Sequence, residues 1–290
     1  MRQIETNGVT LAVDDRGDGY PIVFIHGFPE LAYSWRHQIG PLADEGYRCI
    51  SYDLRGSGGS SGPDEISAYS LAVQVEDVIG ILDRLGLEHA AVVGHDWGSI
   101  IAFATALRHP DRISHVASLN VPYIGWPSGF PSTDVIGERF GGRLGYVLSF
   151  QEPGKTESTF RADPAAWLRR VITGVAGRPD FMSEAEFGVY VSAHTDAGLT
   201  GQLNLYRNID LNVEAWAEYA GRPIVQPTLM VTVDSDPVLP RSMVDGMGSF
   251  VPDLEVRHVA DCGHWSQQER PDEVTEILSD WLGRVLDGTN

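Results

Sequence analysis

Five residues constrain this chain more than any others: Gly94-His95-Asp96-Trp97-Gly98. They follow Ala90-Ala91-Val92-Val93, a continuous apolar run of strand length. They precede an apolar helical stretch from Ser99 to about Arg108, stopped by Pro110. An apolar run without alternation predicts a strand buried on both faces. Strand, tight turn and helix in that order predict a turn that lifts one side chain above a sheet. Glycines suit its flanks, where a Cβ would crowd the neighbouring backbone. The lifted residue is an aspartate. Its plain alternative is a helix N-cap, and its chemical reading depends on partners elsewhere in the chain.

The organisation around this turn predicts a mostly parallel α/β sheet with flanking helices. Residues 9–13 and 22–25 are short apolar runs joined through Arg16-Gly17-Asp18-Gly19, a turn signal that predicts a hairpin. Residues 48–52 predict the next strand, and Leu71, Val75, Val78, Ile79, Leu82 and Leu85 fall at helical spacing. Residues 115–119 predict another strand. The rhythm breaks near Asn120. From Val121 to about Ala220 the chain is rich in Gly, Pro, Trp and Tyr and shows helical stretches but no clear buried strand. Strands return at 227–233 and 254–259. An amphipathic helix follows, with Val274, Ile277, Leu278, Trp281 and Val285 on its apolar face. The expected division is a core of residues 1–120 and 221–290 with an inserted helical cap at 121–220.

An aspartate at the apex restricts the reaction. Its ordinary pKa of about 3.9 leaves it ionised at neutral pH, so no base is needed to activate it. Attack on an ester or amide carbonyl would give a reactive anhydride, whereas attack on an sp³ carbon gives a stable alkyl ester. The leaving group must then be a halide or the strained oxygen of an epoxide. Hydrolysis of the ester needs a general base and an oxyanion hole. His264, in Asp261-Cys262-Gly263-His264-Trp265, lies in a loop after the last strand and is the candidate base. Asp236, just after the preceding strand, is the candidate to orient it, with Asp234 as its rival. The order nucleophile, acid, histidine follows. His26 and His95 are expected to be structural, and His89, His109, His115 and His258 to lie at element ends or on the surface. His26-Gly27-Phe28-Pro29 closes the second strand, where the backbone N–H of Phe28 can join that of Trp97 as the oxyanion hole.

The sequence resembles the soluble epoxide hydrolases of the α/β-hydrolase fold over nearly its whole length. The resemblance rests on His26-Gly27-Phe28-Pro29-Glu30, Tyr52-Asp53-Leu54-Arg55-Gly56, Gly94-His95-Asp96-Trp97-Gly98, Ser149-Phe150-Gln151-Glu152-Pro153-Gly154, Leu203-Asn204-Leu205-Tyr206-Arg207-Asn208 and Asp261-Cys262-Gly263-His264-Trp265. It implies a nucleophilic aspartate, a His–Asp pair that activates water, and two lid tyrosines that hold the epoxide oxygen. The tyrosines fall at Tyr146, four residues before Phe150, and at Tyr206, before Arg207-Asn208. A phenol of pKa about 10 can donate a hydrogen bond or a proton to a developing alkoxide. Val147 stands where relatives can carry a polar residue and is expected to make its wall more apolar. Phe28, Pro29, Val147 and Trp97 are the expected substrate contacts.

The nearest rival is a haloalkane dehalogenase, which shares the fold, the aspartate and the ester. Trp97 suits either reading, since an indole N–H can donate to a halide. Dehalogenases of this type usually carry a second halide donor after His-Gly, and Phe28 has none. An arginine following the nucleophile, usual in fluoroacetate dehalogenases, is replaced by Trp97. A ligand receptor on the same fold could keep the catalytic residues.

Charge narrows the partners. Against 40 acidic residues stand 21 basic ones, with Lys155 the only lysine, for a formal charge of -19. That field repels nucleic acid and anionic membranes. Apolar residues at 42% and charged ones at 21% match an ordinary soluble domain. The N-terminal residues 1–15 do not read as a signal peptide, and no apolar stretch is of membrane-spanning length. Cys49 and Cys262 are expected as buried thiols in a cytoplasmic protein, a monomer or homodimer. Gly56-Ser57-Gly58-Gly59 misses the dinucleotide-binding spacing, and neither His-Glu-x-x-His nor Cys-x-x-Cys occurs, so no cofactor or metal is expected. Trp126, Phe130, Phe140 and Trp167 give the middle segment an apolar, aromatic character that suits a small hydrophobic epoxide.

Overall fold

A computed structural model describes residues 1–126, 128–177 and 180–287. The first part of the chain forms β1 (Arg2–Thr6), β2 (Val9–Arg16), β3 (Tyr20–Ile25), α1 (Arg36–Asp44), β4 (Tyr47–Tyr52), α2 (Leu71–Leu85), β5 (Ala90–His95), α3 (Trp97–Arg108) and β6 (Ile113–Leu119). A helical insertion follows: α4 (Thr133–Val135), α5 (Gly141–Phe150), α6 (Lys155–Ala162), α7 (Pro164–Val175), α8 (Glu184–Ala197), α9 (Thr200–Arg207) and α10 (Ile209–Ala215). The chain ends with β7 (Thr228–Val233), β8 (Leu254–Val259), α11 (Ser266–Glu269) and α12 (Pro271–Asp287). The eight strands form one sheet in the order β1-β2-β4-β3-β5-β6-β7-β8. The pairs β1/β2 and β2/β4 are antiparallel, and every other neighbouring pair is parallel.

Strand alternation sorts the core into two layers. On β3 and β5, Val23, Ile25 and Val92 join the large cluster that continues through α2, α3 and the insertion. Ile22, Phe24, Ala91 and Val93 point to the other face, where Trp35, Ile39, Leu278 and Trp281 cover them. All six residues of β5 are buried, as are ten of the twelve in α3. An α-helix apolar on all sides needs cover on all sides. The sheet covers one side of α3, and α2 packs against another. Gly86, at φ 68°, closes α2 in the left-handed conformation that glycine adopts without steric cost.

Two expectations are corrected. Residues 9–13 and 22–25 do not form a hairpin, because β4 lies between β2 and β3. Gly17 and Gly19 lie so close to the start of β4 that a Cβ on either would overlap the carbonyl oxygen of Tyr47 or Gly46. These glycines let the chain cross over a third strand rather than fold back on the second. His115 is neither terminal nor superficial: β6 begins at Ile113, and His115 is buried near Trp281. The strand Arg2–Thr6 had no apolar alternation strong enough to identify it. Cys49 and Cys262 are buried free thiols. Among the described residues no helix is long and apolar enough to cross a membrane.

Candidate active site

Asp96 sits at the join of β5 and α3 with φ 53° and ψ -123°, a conformation L-residues rarely adopt. Three glycines permit the geometry. A Cβ on Gly94 would overlap the backbone of Gly98, and one on Gly98 would overlap the Ile25 carbonyl. A Cβ on Gly27 would overlap the Asp96 side chain itself. The loop after β3 therefore closes onto the carboxylate, and the Phe28 backbone N–H donates to Asp96 Oδ1 at 2.7 Å. The Trp97 backbone N–H also interacts with the carboxylate. Burial pushes the Asp96 carboxyl above its usual range, opposed by His264, His95 and these two N–H groups.

His264 faces Asp96 from the loop after β8. Its Nε2 lies 3.7 Å from Asp96 Oδ2, and its Nδ1 lies 2.7 Å from Asp236 Oδ2. Burial works against a charged imidazole, but Asp236, Asp96 and Glu30 together raise it to about 9. The Asp236 carboxyl is held well below the usual range: burial favours protonation, but His264, Leu239 N–H and Asn120 outweigh it. Its Oδ1 accepts the backbone N–H of Val238 and Leu239 at 2.8 and 2.9 Å. Asp234 lies apart, accepting from Asp261 N–H and paired with His258 Nε2 at 2.8 Å.

Tyr146 and Tyr206 come from different helices of the insertion, α5 and α9. Their ring centroids are 5.9 Å apart, with planes at 77°. Burial raises both phenols above their usual range, so both keep their protons near neutral pH. Tyr206 also packs edge-on against Trp97, Phe28 and Phe150, each at 5.1 Å.

Two cavities meet here. One, of about 240 Å³, runs from Asp96 and Tyr146 past Val121, Leu144 and Phe140 to Trp126. The other, of about 260 Å³, is lined by Asp96, Tyr146, Tyr206 and His264, with Phe28 and Phe150. Asp96, Tyr146 and Val238 line both. Phe130 lines the first cavity, whereas Trp167 is buried and lines neither. Among the expected substrate contacts, Phe28 lines the second cavity, whereas Trp97 is buried against the Tyr206 ring and lines neither. Pro29 is buried and lines neither cavity. Val147 is also an expected substrate contact. It is fully buried and lines neither cavity, because one residue along an α-helix turns the side chain by about 100° from Tyr146.

Asn120 and Glu30, buried at this site, had no role assigned from the sequence, whereas His26 and His95 were expected to be structural. Asn120 donates to Asp236 Oδ2 at 2.9 Å and accepts from Ser266. His95 Nε2 donates to the His264 carbonyl at 2.7 Å, and its Nδ1 meets Glu30 Oε2 at 2.7 Å. Glu30 also accepts from Gly27 N–H, Gln267 and Gln268. Burial works to raise its carboxyl, yet His95, His26 and the Gly27 N–H hold it below the usual range. His26 is structural: it accepts the Leu54 N–H at Nε2, so its Nδ1 donates to the Gly27 carbonyl. Among the described residues no group of three or more His, Cys, Asp or Glu could hold a metal ion.

Known proteins share this arrangement of sheet and insertion. Residues 20–271 match the α/β hydrolase fold family. Epoxide hydrolase A of Mycobacterium tuberculosis is 41% identical, covering 97% of this chain and 96% of its own. The crystal structure of Epoxide Hydrolase A from Mycobacterium thermoresistibile superposes with a TM-score of 0.87 at 37% identity, over 97% of each chain. An epoxide hydrolase from an endophytic Streptomyces superposes with a TM-score of 0.92 at 35% identity, over 99% of this chain and 96% of that one. With its eight-stranded sheet and near-complete coverage of these relatives, the chain belongs to the α/β hydrolase fold family and, within it, to the epoxide hydrolases.

Proposed function

We propose that this enzyme converts a small hydrophobic epoxide to a vicinal diol through an ester on Asp96. The observation that carries the reading is a shared cavity. Asp96, Tyr146, Tyr206 and His264 line one space, where a nucleophile, two neutral phenols and an imidazole can act on one molecule. A carboxylate oxygen of Asp96 attacks a ring carbon as the C–O bond breaks, while Tyr146 and Tyr206 donate to the leaving oxygen. His264, oriented by Asp236, then takes a proton from water, and that water adds to the ester carbonyl. The N–H groups of Phe28 and Trp97 stabilise the oxyanion. The ester carbonyl carbon is that of Asp96, so its collapse releases the diol and restores the carboxylate.

The charge balance supports this order of steps. With Asp96 ionised, the neighbouring carboxylates favour a charged imidazole. Alkylation removes the Asp96 charge, and with it one of the groups that raise His264. Its pKa then falls, so more of the imidazole is neutral and free to accept a proton from water at the step that needs it. Residues 121–220 act in this proposal as a lid on a core of 1–120 and 221–290, excluding water until the ester has formed. The buried thiols of Cys49 and Cys262 suit a reducing cytoplasmic setting. A monomer or homodimer would suffice, since all the groups named come from one chain.

A paired turnover assay tests the reading: diol from an aryl epoxide and halide from a bromoalkane. Diol without halide is expected, and Asp96→Ala should abolish it. Halide without diol would reassign the enzyme as a dehalogenase. His264→Gln should accumulate an adduct of the epoxide's mass. An unmodified chain after long incubation would remove the covalent step.

A further inference from the structure

The phenols of Tyr146 and Tyr206 can share one oxygen only if α5 and α9 keep a fixed separation. Two side chains outside the cavity connect the ends of these helices. Gln151, the residue after α5, donates from Nε2 to the carbonyl of Val147 at 3.0 Å and to that of Tyr206 at 3.1 Å. Arg207, next to Tyr206, donates from Nε to the Phe150 carbonyl at 2.9 Å and from Nη1 to Asn204 at 3.0 Å. Its guanidinium pairs with Glu157, Nη1 to Oε1 at 2.8 Å and Nη2 to Oε2 at 3.1 Å. Both side chains are more than nine-tenths buried. Glu157 Oε2 also accepts the Gly154 N–H at 3.0 Å, which fixes the loop between α5 and α6.

Helix ends leave carbonyls that need partners. Those of Val147 and Phe150 find theirs in the clasp rather than in solvent, and that of Tyr206 accepts from Gln151 as well as from the Asn208 N–H. A planar, bidentate guanidinium also restrains orientation as well as distance. We propose that Gln151, Arg207 and Glu157 are positioning residues for ring opening, which hold the two phenols at the spacing that an epoxide oxygen requires. The proposal rests on the tyrosine reading above. It predicts a step-specific defect: the clasp matters while the tyrosines donate, and not while water attacks the ester at His264.

The test is single-turnover kinetics on the full-length enzyme, following ester formation and ester loss separately by rapid quench and intact mass. Gln151→Ala and Arg207→Gln should slow ester formation about tenfold or more and leave ester hydrolysis within about twofold, and Arg207→Lys should recover part of the rate. Equal slowing of both steps, or neither, in folded protein would overturn the proposal. If Arg207→Gln does not fold, Gln151→Ala, which removes two neutral hydrogen bonds and no charge, decides the matter alone. Tyr146→Phe and Tyr206→Phe separate the two layers of the argument. If they slow ester formation and the clasp variants do not, the clasp fails alone. If they leave ester formation at the wild-type rate, the tyrosine reading fails and takes the clasp with it.

Discussion

Asp96 is pulled in opposite directions by its surroundings. Burial favours its protonated form, while His264, His95 and two backbone N–H groups favour the carboxylate, and the balance leaves its pKa raised. In the proposed mechanism ring opening needs the carboxylate, so its rate should fall as pH drops through that raised value. His264→Gln removes the cation and leaves burial less opposed, so the Asp96 pKa should rise further. The acid limb of ester formation, measured in single turnovers across pH, should therefore move to higher pH in His264→Gln. An unmoved limb would mean that the two groups are not coupled. Much of this site was legible in the sequence, because the chemistry of an apical aspartate demands a base and the chain order supplies His264 and Asp236. Asp236 was the candidate to orient the base and Asp234 its rival; in the fold His264 meets Asp236 and His258 engages Asp234, a pairing that no local pattern records. Glu30 and Asn120 went unassigned for a similar reason. Glu30 meets Gln267 and Gln268, 237 and 238 positions away, and no local pattern records such a pairing.

At the scale of elements, the turn between β5 and α3 depends on contacts between backbones. Gly98 lies against the Ile25 carbonyl, which β3 holds in the sheet and which cannot withdraw. Gly98→Ala should therefore cost about 3 kcal/mol, at the upper end for overpacking a rigid core. Gly40 is the matched control. It lies inside α1 with open space where a Cβ would go. Gly40→Ala should stabilise the protein by about 0.4–1 kcal/mol through reduced freedom of the unfolded chain. Urea unfolding of the two variants reads both signs, and a Gly98→Ala loss below 1 kcal/mol would show that the turn can relax. The same contacts explain which elements could be read in advance. β5 and α2 announce themselves by continuous burial or by helical spacing, both local properties. The β2–β3 connection misled because Gly17 and Gly19 suit either a hairpin turn or a close crossing. What decides between these is β4, whose residues begin 28 positions after Gly19.

Across the whole molecule, in the proposed reaction the loops that follow β5, β7 and β8 bring Asp96, Asp236 and His264, and the helices between β6 and β7 bring both tyrosines and part of the cavity walls. The two cavities meet at Asp96, Tyr146 and Val238, so a bound epoxide has room for one substituent on each side of its ring. Ile124 lines only the first cavity and Val171 only the second, and neither lies on α5 or α9. Ile124→Trp and Val171→Trp should each fill one side without moving the tyrosines. For epoxides with large groups on both ring carbons, kcat/KM should fall by about tenfold or more in either variant, the scale of discrimination that one or two methylenes achieve in an apolar pocket. For a small terminal epoxide, which needs one side at most, the fall should stay within about threefold. If the groups differ in size, the variants should exchange which orientation is lost, visible as opposite shifts in the diol enantiomer ratio. An equal loss for small and large epoxides would mean that the two spaces do not serve the two substituents.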